Sequence, residues 1–468
     1  MRRWRRFLPL SISILALFFF TYLRRRMPAT WATTIPDELP LAGHERLLIL
    51  APHCDDETLG CAGLILAARH LGLEVRVVIA TNGDGYLFAT MEEFRRVYPR
   101  YADFIRMGTV RQQESLRALA LLDVAADQVS FLSYPDRGLA AFWNDHWSVA
   151  APYRSPYSGL TRSVYPLTYN PNSVYAGEDL LADLCSILRS YHPDLIVYPH
   201  PNDMHPDHWA LSAFTRLTLA LIEREDADYR PATYVYLIHR PAFPLPKGLR
   251  VQHGLFPPVA LYNVTPHWLR LDLSREDVKL KWQAIYAYRS QLFFIRELLE
   301  SFIRTNELFA EREPALLPRL ADGNPLNPET WRDMDNHPVQ PVQVDPIGDF
   351  IVTRALAPAD LVALYAGESR DNSLAACIQV RGRVTPTQRY LLRIMAVTPH
   401  GITHHVARRN YFFQRSSPSA YVNGCYVCTQ VPLSQLGNPA LLFVGAEVQG
   451  AQVGVLDQTA WQLLLRAE

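Results

Sequence analysis

Residues 46–57 read Arg46-Leu47-Leu48-Ile49-Leu50-Ala51-Pro52-His53-Cys54-Asp55-Asp56-Glu57. An unbroken apolar run of five, Leu47 to Ala51, stopped by proline, predicts a strand buried on both faces. Its carboxyl end delivers an imidazole and three carboxylates into a tight turn. A helical pattern over 58–70 and a second strand over 74–80 complete a βαβ opening. The alternation continues with a helix over 109–122, a strand over 129–132, a helix over 177–190, a strand over 194–198 and a helix over 206–223. Such alternation predicts a Rossmann-like, mostly parallel α/β sheet with helices on both faces, in which ligands gather at the carboxyl ends of strands.

Working outward, residues 142–172 are rich in Tyr, Pro, Ser and Trp without periodicity. That length suits a lid or substrate loop better than a simple connection. Residues 275–310 carry a helical pattern, and a Pro-, Asn- and Asp-rich stretch over 311–345 reads as a linker. Beyond it, short β-branched and aromatic runs separated by Gly, Pro and Asn predict a C-terminal β-rich domain over 346–468, a β-sandwich. The expected organisation is an N-terminal segment 1–26, a linker 27–43, a catalytic domain 44–310, the second linker and the β-rich accessory domain.

Forty-six basic and 46 acidic side chains cancel in a chain of 468 residues, and 49% of the residues are apolar. The chain can build substantial cores, and the charge balance argues against a nucleic-acid partner. The N-terminus is different: residues 7–23 are almost wholly apolar, with Arg2, Arg3, Arg5 and Arg6 before them and Arg24, Arg25 and Arg26 after. This run is at the short end of the roughly 17–25 residues that span a bilayer. The trailing arginines favour a single uncleaved transmembrane helix over a cleaved signal peptide, so the chain is expected to be membrane-anchored with its catalytic part extracytoplasmic, or secreted if the segment is removed. Six scattered cysteines do not form a disulfide scaffold, and Cys425-x-x-Cys428 reads as strand residues or one local disulfide.

Crowded carboxylates raise one another's pKa unless a cation or hydrogen bonds compensate, which makes a bound divalent metal one reading of Asp55, Asp56 and Glu57 and helix capping the other. The strand over 194–198 leads into a second cluster, Tyr198-Pro199-His200-Pro201-Asn202-Asp203-Met204-His205-Pro206-Asp207-His208. Pro206 suits a first helical turn, so His205 and His208 can share the sheet rim with His53.

These paired clusters resemble the A-H-P-D-D-E and H-P-D-H motifs of the PIG-L/LmbE family of zinc-dependent de-N-acetylases. The similarity extends to Gly60-Cys61-Ala62-Gly63, to Arg111-x-x-Glu114, to Tyr134-Pro135-Asp136-Arg137-Gly138-Leu139, and to K-x-x-A-x-x-x-Y-x-S-Q from Lys281 to Gln291. Cys54 stands where the family has proline, and Tyr288 where it has histidine. The resemblance implies Zn²⁺, with iron, manganese or cobalt compatible, held by His53, Asp56 and His208. It further implies Asp55 as general base and His205 as the residue that stabilises the oxyanion or serves as acid. Asp207 is a candidate to orient a ligand histidine, Glu57 reads as structural, and Arg111 and Arg137 are candidate substrate contacts. The implied activity is removal of acetyl from a GlcNAc-type sugar, glycolipid or glycoconjugate. The competing reading is a carbohydrate-binding or scaffold protein with a vestigial site.

Overall fold

The computed structural model describes residues 36–468 apart from 266, 313, 410–419, 452–453 and 467–468. In chain order the first part contains β1 (Asp37–Glu38), β2 (Arg46–Ala51), α1 (Asp56–His70), β3 (Glu74–Thr81), α2 (Leu87–Glu93), α3 (Tyr101–Ala120), β4 (Val129–Tyr134), α4 (Leu139–Asn144), α5 (Gly177–Tyr191), β5 (Leu195–Pro199), α6 (Pro206–Glu225), β6 (Ala232–Tyr236), β7 (Trp268–Asp272), α7 (Arg275–Ile285), α8 (Arg289–Glu300) and β8 (Asn306–Ala310). The strands form one sheet in the order β1-β7-β8-β6-β5-β2-β3-β4. All its pairings are parallel except those of β8 with β6 and β7. The expected Rossmann-like α/β sheet is present.

The order of the strands positions the site. From β2 the chain moves outward through β3 and β4, then returns to place β5 on the other side of β2, with Ile49 opposite Val197. Adjacent strands whose helices leave in opposite directions open a crevice at their carboxyl ends. The turns after β2 and β5 meet there.

The helical expectation for residues 275–310 holds only to Glu300. Asn306–Ala310 is a buried strand, β8, inserted antiparallel between β6 and β7. Asn306-Glu307-Leu308-Phe309-Ala310 is too short for its pattern to tell a strand from a continuing helix. Its Glu307 accepts hydrogen bonds from the Gly63 and Leu64 amides at 2.7 and 2.9 Å and pairs with Lys281 at 2.6 Å. This fully buried ion pair ties α7 and β8 to α1.

The remaining chain gives β9 (Ala315–Leu316), β10 (Leu320–Asp322), β11 (Arg332–Asp333), β12 (Gln343–Val344), α9 (Ile351–Ala355), β13 (Leu361–Ser369), β14 (Ser373–Val380), β15 (Gln388–Thr398), β16 (Gly401–Arg409), β17 (Tyr421–Asn423), β18 (Tyr426–Pro432), β19 (Leu441–Gly450), β20 (Gly454–Gln458) and β21 (Gln462–Leu465). Two sheets, β12-β13-β14-β18-β17 and β16-β15-β19-β21-β9, enclose an apolar core of alternating inward residues such as Leu364, Ile378, Leu392 and Val444. Cys428 pairs with Cys377 of the neighbouring strand, not with Cys425. The second sheet packs on the α/β layer, where Trp143 of α4 meets Phe214 of α6 together with Phe443 and Trp461 at ring separations of 4.9–5.6 Å.

The membrane expectation is corrected: among the described residues no helix is long and apolar enough to cross a membrane, and the apolar run over 7–23 lies outside them. The anchored, extracytoplasmic placement built on that run is withdrawn.

Removing one partner of the Lys281–Glu307 pair strands a buried charge. Lys281→Met is expected to lower unfolding stability by about 3–5 kcal/mol in urea titration, and adding Glu307→Leu to recover most of it.

Candidate functional site

The strand β2 ends at Ala51, and the turn that follows is sharp. Asp55 occupies the N-cap position of α1 with φ 147° and ψ −29°, a conformation L-residues rarely adopt, and its carbonyl accepts the Thr58 and Leu59 amides at 3.0 and 2.8 Å. Strain of this kind persists where surrounding structure over-determines it. The turn brings Asp56 back on its own motif: Oδ2 accepts the His53 amide at 3.0 Å and lies 2.9 Å from His53 Nδ1.

Across the crevice, His205 caps α6, Pro206 fills its first position, and His208 reaches inward one turn on. His208 Nε2 lies 3.0 Å from Asp56 Oδ2 and 3.2 Å from His53 Nδ1. Three donor atoms, two imidazole nitrogens and one carboxylate oxygen, therefore form a triangle with edges of 2.9–3.2 Å. A tetrahedral ion with bonds of about 2.0–2.1 Å holds its ligand atoms about 3.3 Å apart, so the triangle fits one face of such a site. Two imidazole nitrogens this close share either one hydrogen-bonding proton or an ion. Burial would lower the pKa of His208, but Asp203 and Asp56 overcome it and push it up to about 9. Burial likewise works to raise Asp56, while His208 and His53 hold it well below the carboxylate range. The residues present fit a divalent cation.

Behind these atoms stands a layer of carboxylates that orient the rings. Asp203 Oδ2 lies 3.1 Å from His208 Nδ1 and accepts the Ile238 and His239 amides. Asp207 Oδ2 lies 3.1 Å from His53 Nε2 and accepts the Arg137 amide, with Oδ1 accepting that of Leu139. Asp136 Oδ1 approaches the same His53 nitrogen at 3.4 Å. With Nδ1 of one ring and Nε2 of the other turned inward, the opposite nitrogens are each held by a carboxylate, the usual arrangement behind metal-binding imidazoles. Asp136, Asp203 and His239 escaped the sequence reading as site residues. His239 lies on the loop after β6, its ring 4.7 Å from that of His208. Asp203 sat inside the second cluster and Asp136 inside Tyr134-Pro135-Asp136-Arg137, but no spacing rule assigns them a partner. His200, third of the clustered histidines, faces elsewhere: Nε2 lies 3.0 Å from Thr265 Oγ1, and burial pushes its pKa down to about 3.

Arg111 and Arg137 divide. Arg111 is buried, donating to Gly83 O at 3.0 Å and Cys54 O at 2.7 Å and pairing with Asp55 Oδ2 at 3.1 Å. It is the counter-ion of Asp55 and lies beneath the crevice. Burial pushes the Asp55 pKa up to about 7 against the pull of Arg111. Arg137 has an exposed side chain, on a backbone of φ 60°. His205 is half-buried, and desolvation together with the nearby His53 lowers its pKa well below the usual imidazole value, so the ring stays neutral. Its Nδ1 accepts the Asp207 amide at 3.3 Å, so the ring proton sits on Nε2. Glu57 is inward and structural, accepting from Tyr288 Oη at 2.6 Å and Ser115 Oγ at 2.9 Å. Tyr288 thus serves α1 and not the crevice. Cys54 Sγ points back to Thr81 O at 4.0 Å. From the 142–172 segment, Tyr165 donates to Asp84 at 3.0 Å beside this layer.

Residues 48–219 match the family model described as PIG-L: GlcNAc-PI de-N-acetylase. They form a PIG-L domain. A 1D-myo-inositol 2-acetamido-2-deoxy-alpha-D-glucopyranoside deacetylase of Tsukamurella paurometabola is 30% identical over 36% of this chain and 53% of its own length. An enzyme of the same description from Mycobacterium sp. (strain KMS) is 32% identical over 38% of this chain and 50% of its own. The chain thus spans about half the length of these relatives. The N,N'-diacetylchitobiose deacetylase of Pyrococcus horikoshii aligns in structure with 19% identity and a TM-score of 0.37, covering 58% of this chain and 84% of that one.

Gly83 has φ +60°, and a Cβ there would stand 1.6 Å from Arg111 Nη1. Gly83→Ala is expected to dislodge the guanidinium and cost about 1–3 kcal/mol in thermal or urea unfolding. Arg111→Lys should not restore the wild-type value, since an ammonium cannot bridge three fixed acceptors as a fork does.

Proposed function

We propose that the PIG-L domain is a metal-dependent hydrolase that removes the N-acetyl group from a GlcNAc-type sugar or glycoconjugate. The observation that carries the reading is the triangle of His53 Nδ1, Asp56 Oδ2 and His208 Nε2 at the topological switch of the sheet. These three residues would hold the ion, zinc being favoured by a donor set of two imidazoles and one carboxylate. Bound there, a divalent ion supplies Lewis-acid polarisation of the amide carbonyl.

The chain's own residues do the rest. Asp55 flanks the ligand Asp56 without joining the triangle, and accepts a proton from the attacking water. Arg111 keeps the carboxylate of Asp55 aimed and available as an acceptor. His205, neutral and protonated on Nε2, donates a hydrogen bond to the oxygen on which charge develops. The exposed Arg137 guanidinium can take hydroxyls or phosphates of the sugar's substituent. The similar proteins named above support a 2-acetamido sugar as substrate class, and the β-rich C-terminal region is assigned as an accessory module.

Two variants separate metal binding from proton transfer. Asp55→Asn should keep its zinc and lose about 10²- to 10⁴-fold in acetate release from N-acetylglucosaminides. His208→Ala should lose the metal as well, read by elemental analysis. Full zinc in His208→Ala would refute the ligand set, and near-normal turnover in Asp55→Asn would refute the base. Absence of acetate release by zinc-loaded protein across a panel of N-acetylated sugars, with retained glycan binding, would favour the scaffold reading.

Asp203 is the ring-orienting group behind His208. Asp203→Ala is expected to weaken zinc roughly 10- to 100-fold in competition with a chelator.

A further inference from the structure

Away from the crevice, three carboxylates from the C-terminal module converge: Asp345 after β12, Asp349 before α9 and Asp457 in β20. One oxygen from each lies within 4.8 Å of the others, and all three residues are buried. Asp457 is held by the Leu361 and Gln458 amides at 2.7 and 2.9 Å, and Asp349 Oδ2 pairs with Arg240 Nη2 at 3.3 Å. Asp345 Oδ2 has no hydrogen-bond partner among the described residues.

A second observation comes from the PIG-L domain. Asn202, on the loop between β5 and α6, is 5% exposed, and its Oδ1 likewise has no hydrogen-bond partner among the described residues. Asn202, Asp345 and Asp349 line one cavity of about 10 Å³, room for a single water-sized particle. Buried acceptors left unsatisfied cost about 1–3 kcal/mol each, so two residues that carry such an oxygen and line one small cavity, beside the Arg240 that pairs with Asp349, point to a ligand there.

Charge leads to the same conclusion. Asp360 adjoins the group and is paired with Arg381, while Arg240 faces Asp349. Burial and the neighbouring carboxylates push Asp345 and Asp457 well above the ordinary carboxylate range, so four carboxylates against two guanidinium groups must be balanced by protons or by a bound cation. All candidate donors are oxygens, which select a hard cation, and direct ligation by several protein oxygens is the habit of Ca²⁺ more than of Mg²⁺, which keeps most of its waters.

We propose that Asp345, Asp349 and Asp457, with Asn202 Oδ1, bind a Ca²⁺ ion at the seam between the C-terminal module and the loop that carries Asp203 and His205. The ion fastens Asn202 to the module one residue from Asp203, the carboxylate behind His208. The site is independent of the catalytic reading, because none of its ligands belongs to the zinc triangle.

The test uses the full chain freed of calcium with EGTA. Calorimetric titration with CaCl₂ should give a saturable site of about one ion per chain with a Kd between about 10⁻⁵ and 10⁻³ M, and the unfolding midpoint should rise with calcium. Asp345→Asn should weaken binding at least about tenfold and, having lost one repelling charge, unfold without calcium no earlier than wild type. Asn202→Ala should also weaken it and gives the answer if Asp345→Asn fails to fold. His208→Ala should bind Ca²⁺ as wild type does. A wild-type chain with neither binding heat nor a calcium-dependent midpoint overturns the proposal and leaves the carboxylates neutralised by protons. Wild-type affinity in either ligand variant overturns it too.

Discussion

Buried negative charge must be matched, and this constraint organises the molecule. The turn after β2 places Asp55, Asp56 and Glu57 consecutively inside the protein, and each is answered by a different element. Arg111 of α3 meets Asp55, the imidazoles of His53 and His208 meet Asp56, and Tyr288 with Ser115 meets Glu57. Three adjacent residues thus draw together α3, α6 and the start of α8. The Lys281–Glu307 pair repeats the device where α7 and β8 lock onto α1. Breaking any one match leaves an uncompensated charge in low dielectric, which is costlier than the loss of a surface contact.

The same constraint separates groups for which different chemical tasks are proposed. Asp56 is stabilised as an anion by two imidazoles, as suits a ligand. Asp55, one residue away, has Arg111 and more weakly His53 against its burial and its acidic neighbours, and stays more basic, which supports the proposed role of proton acceptor. Neighbouring carboxylates driven apart in basicity by their surroundings are a recurrent means of dividing roles within one site. The carboxylates behind the rings add orientation: Asp203 and Asp207 are each pinned by backbone amides, so the imidazoles they face inherit that rigidity.

The C-terminal sandwich is coupled to the α/β layer by packing as well as charge. Trp143 and Phe214 meet Phe443 and Trp461 at the shared face, and Arg216 donates to Trp461 O at 2.8 Å. Because α6 also carries His208, the helix that positions a site residue is itself positioned by the second layer.

Much of this was legible along the chain. The apolar run of β2, the helix after it and the later strand–helix alternation follow from periodicity and turn residues, which are local properties. The histidine and aspartate clusters stood out because their residue types are rarely crowded at strand exits. Other features needed three dimensions. Asn306–Ala310 became a strand because a gap between β6 and β7 accepted it, which no short-range pattern encodes. Arg111 read only as a candidate substrate contact, and its pairing with Asp55 and Gly83 could not be seen because both lie far back in sequence. Asp136, Asp203 and His239 gained their places from long-range folding, and Cys428 found Cys377 on a neighbouring strand, not the nearby Cys425. The sequence by itself determined which chemistry was carried and on which strand ends. Only the tertiary structure decided which charges face one another, because pairing across a sheet depends on strand order and not on distance along the chain.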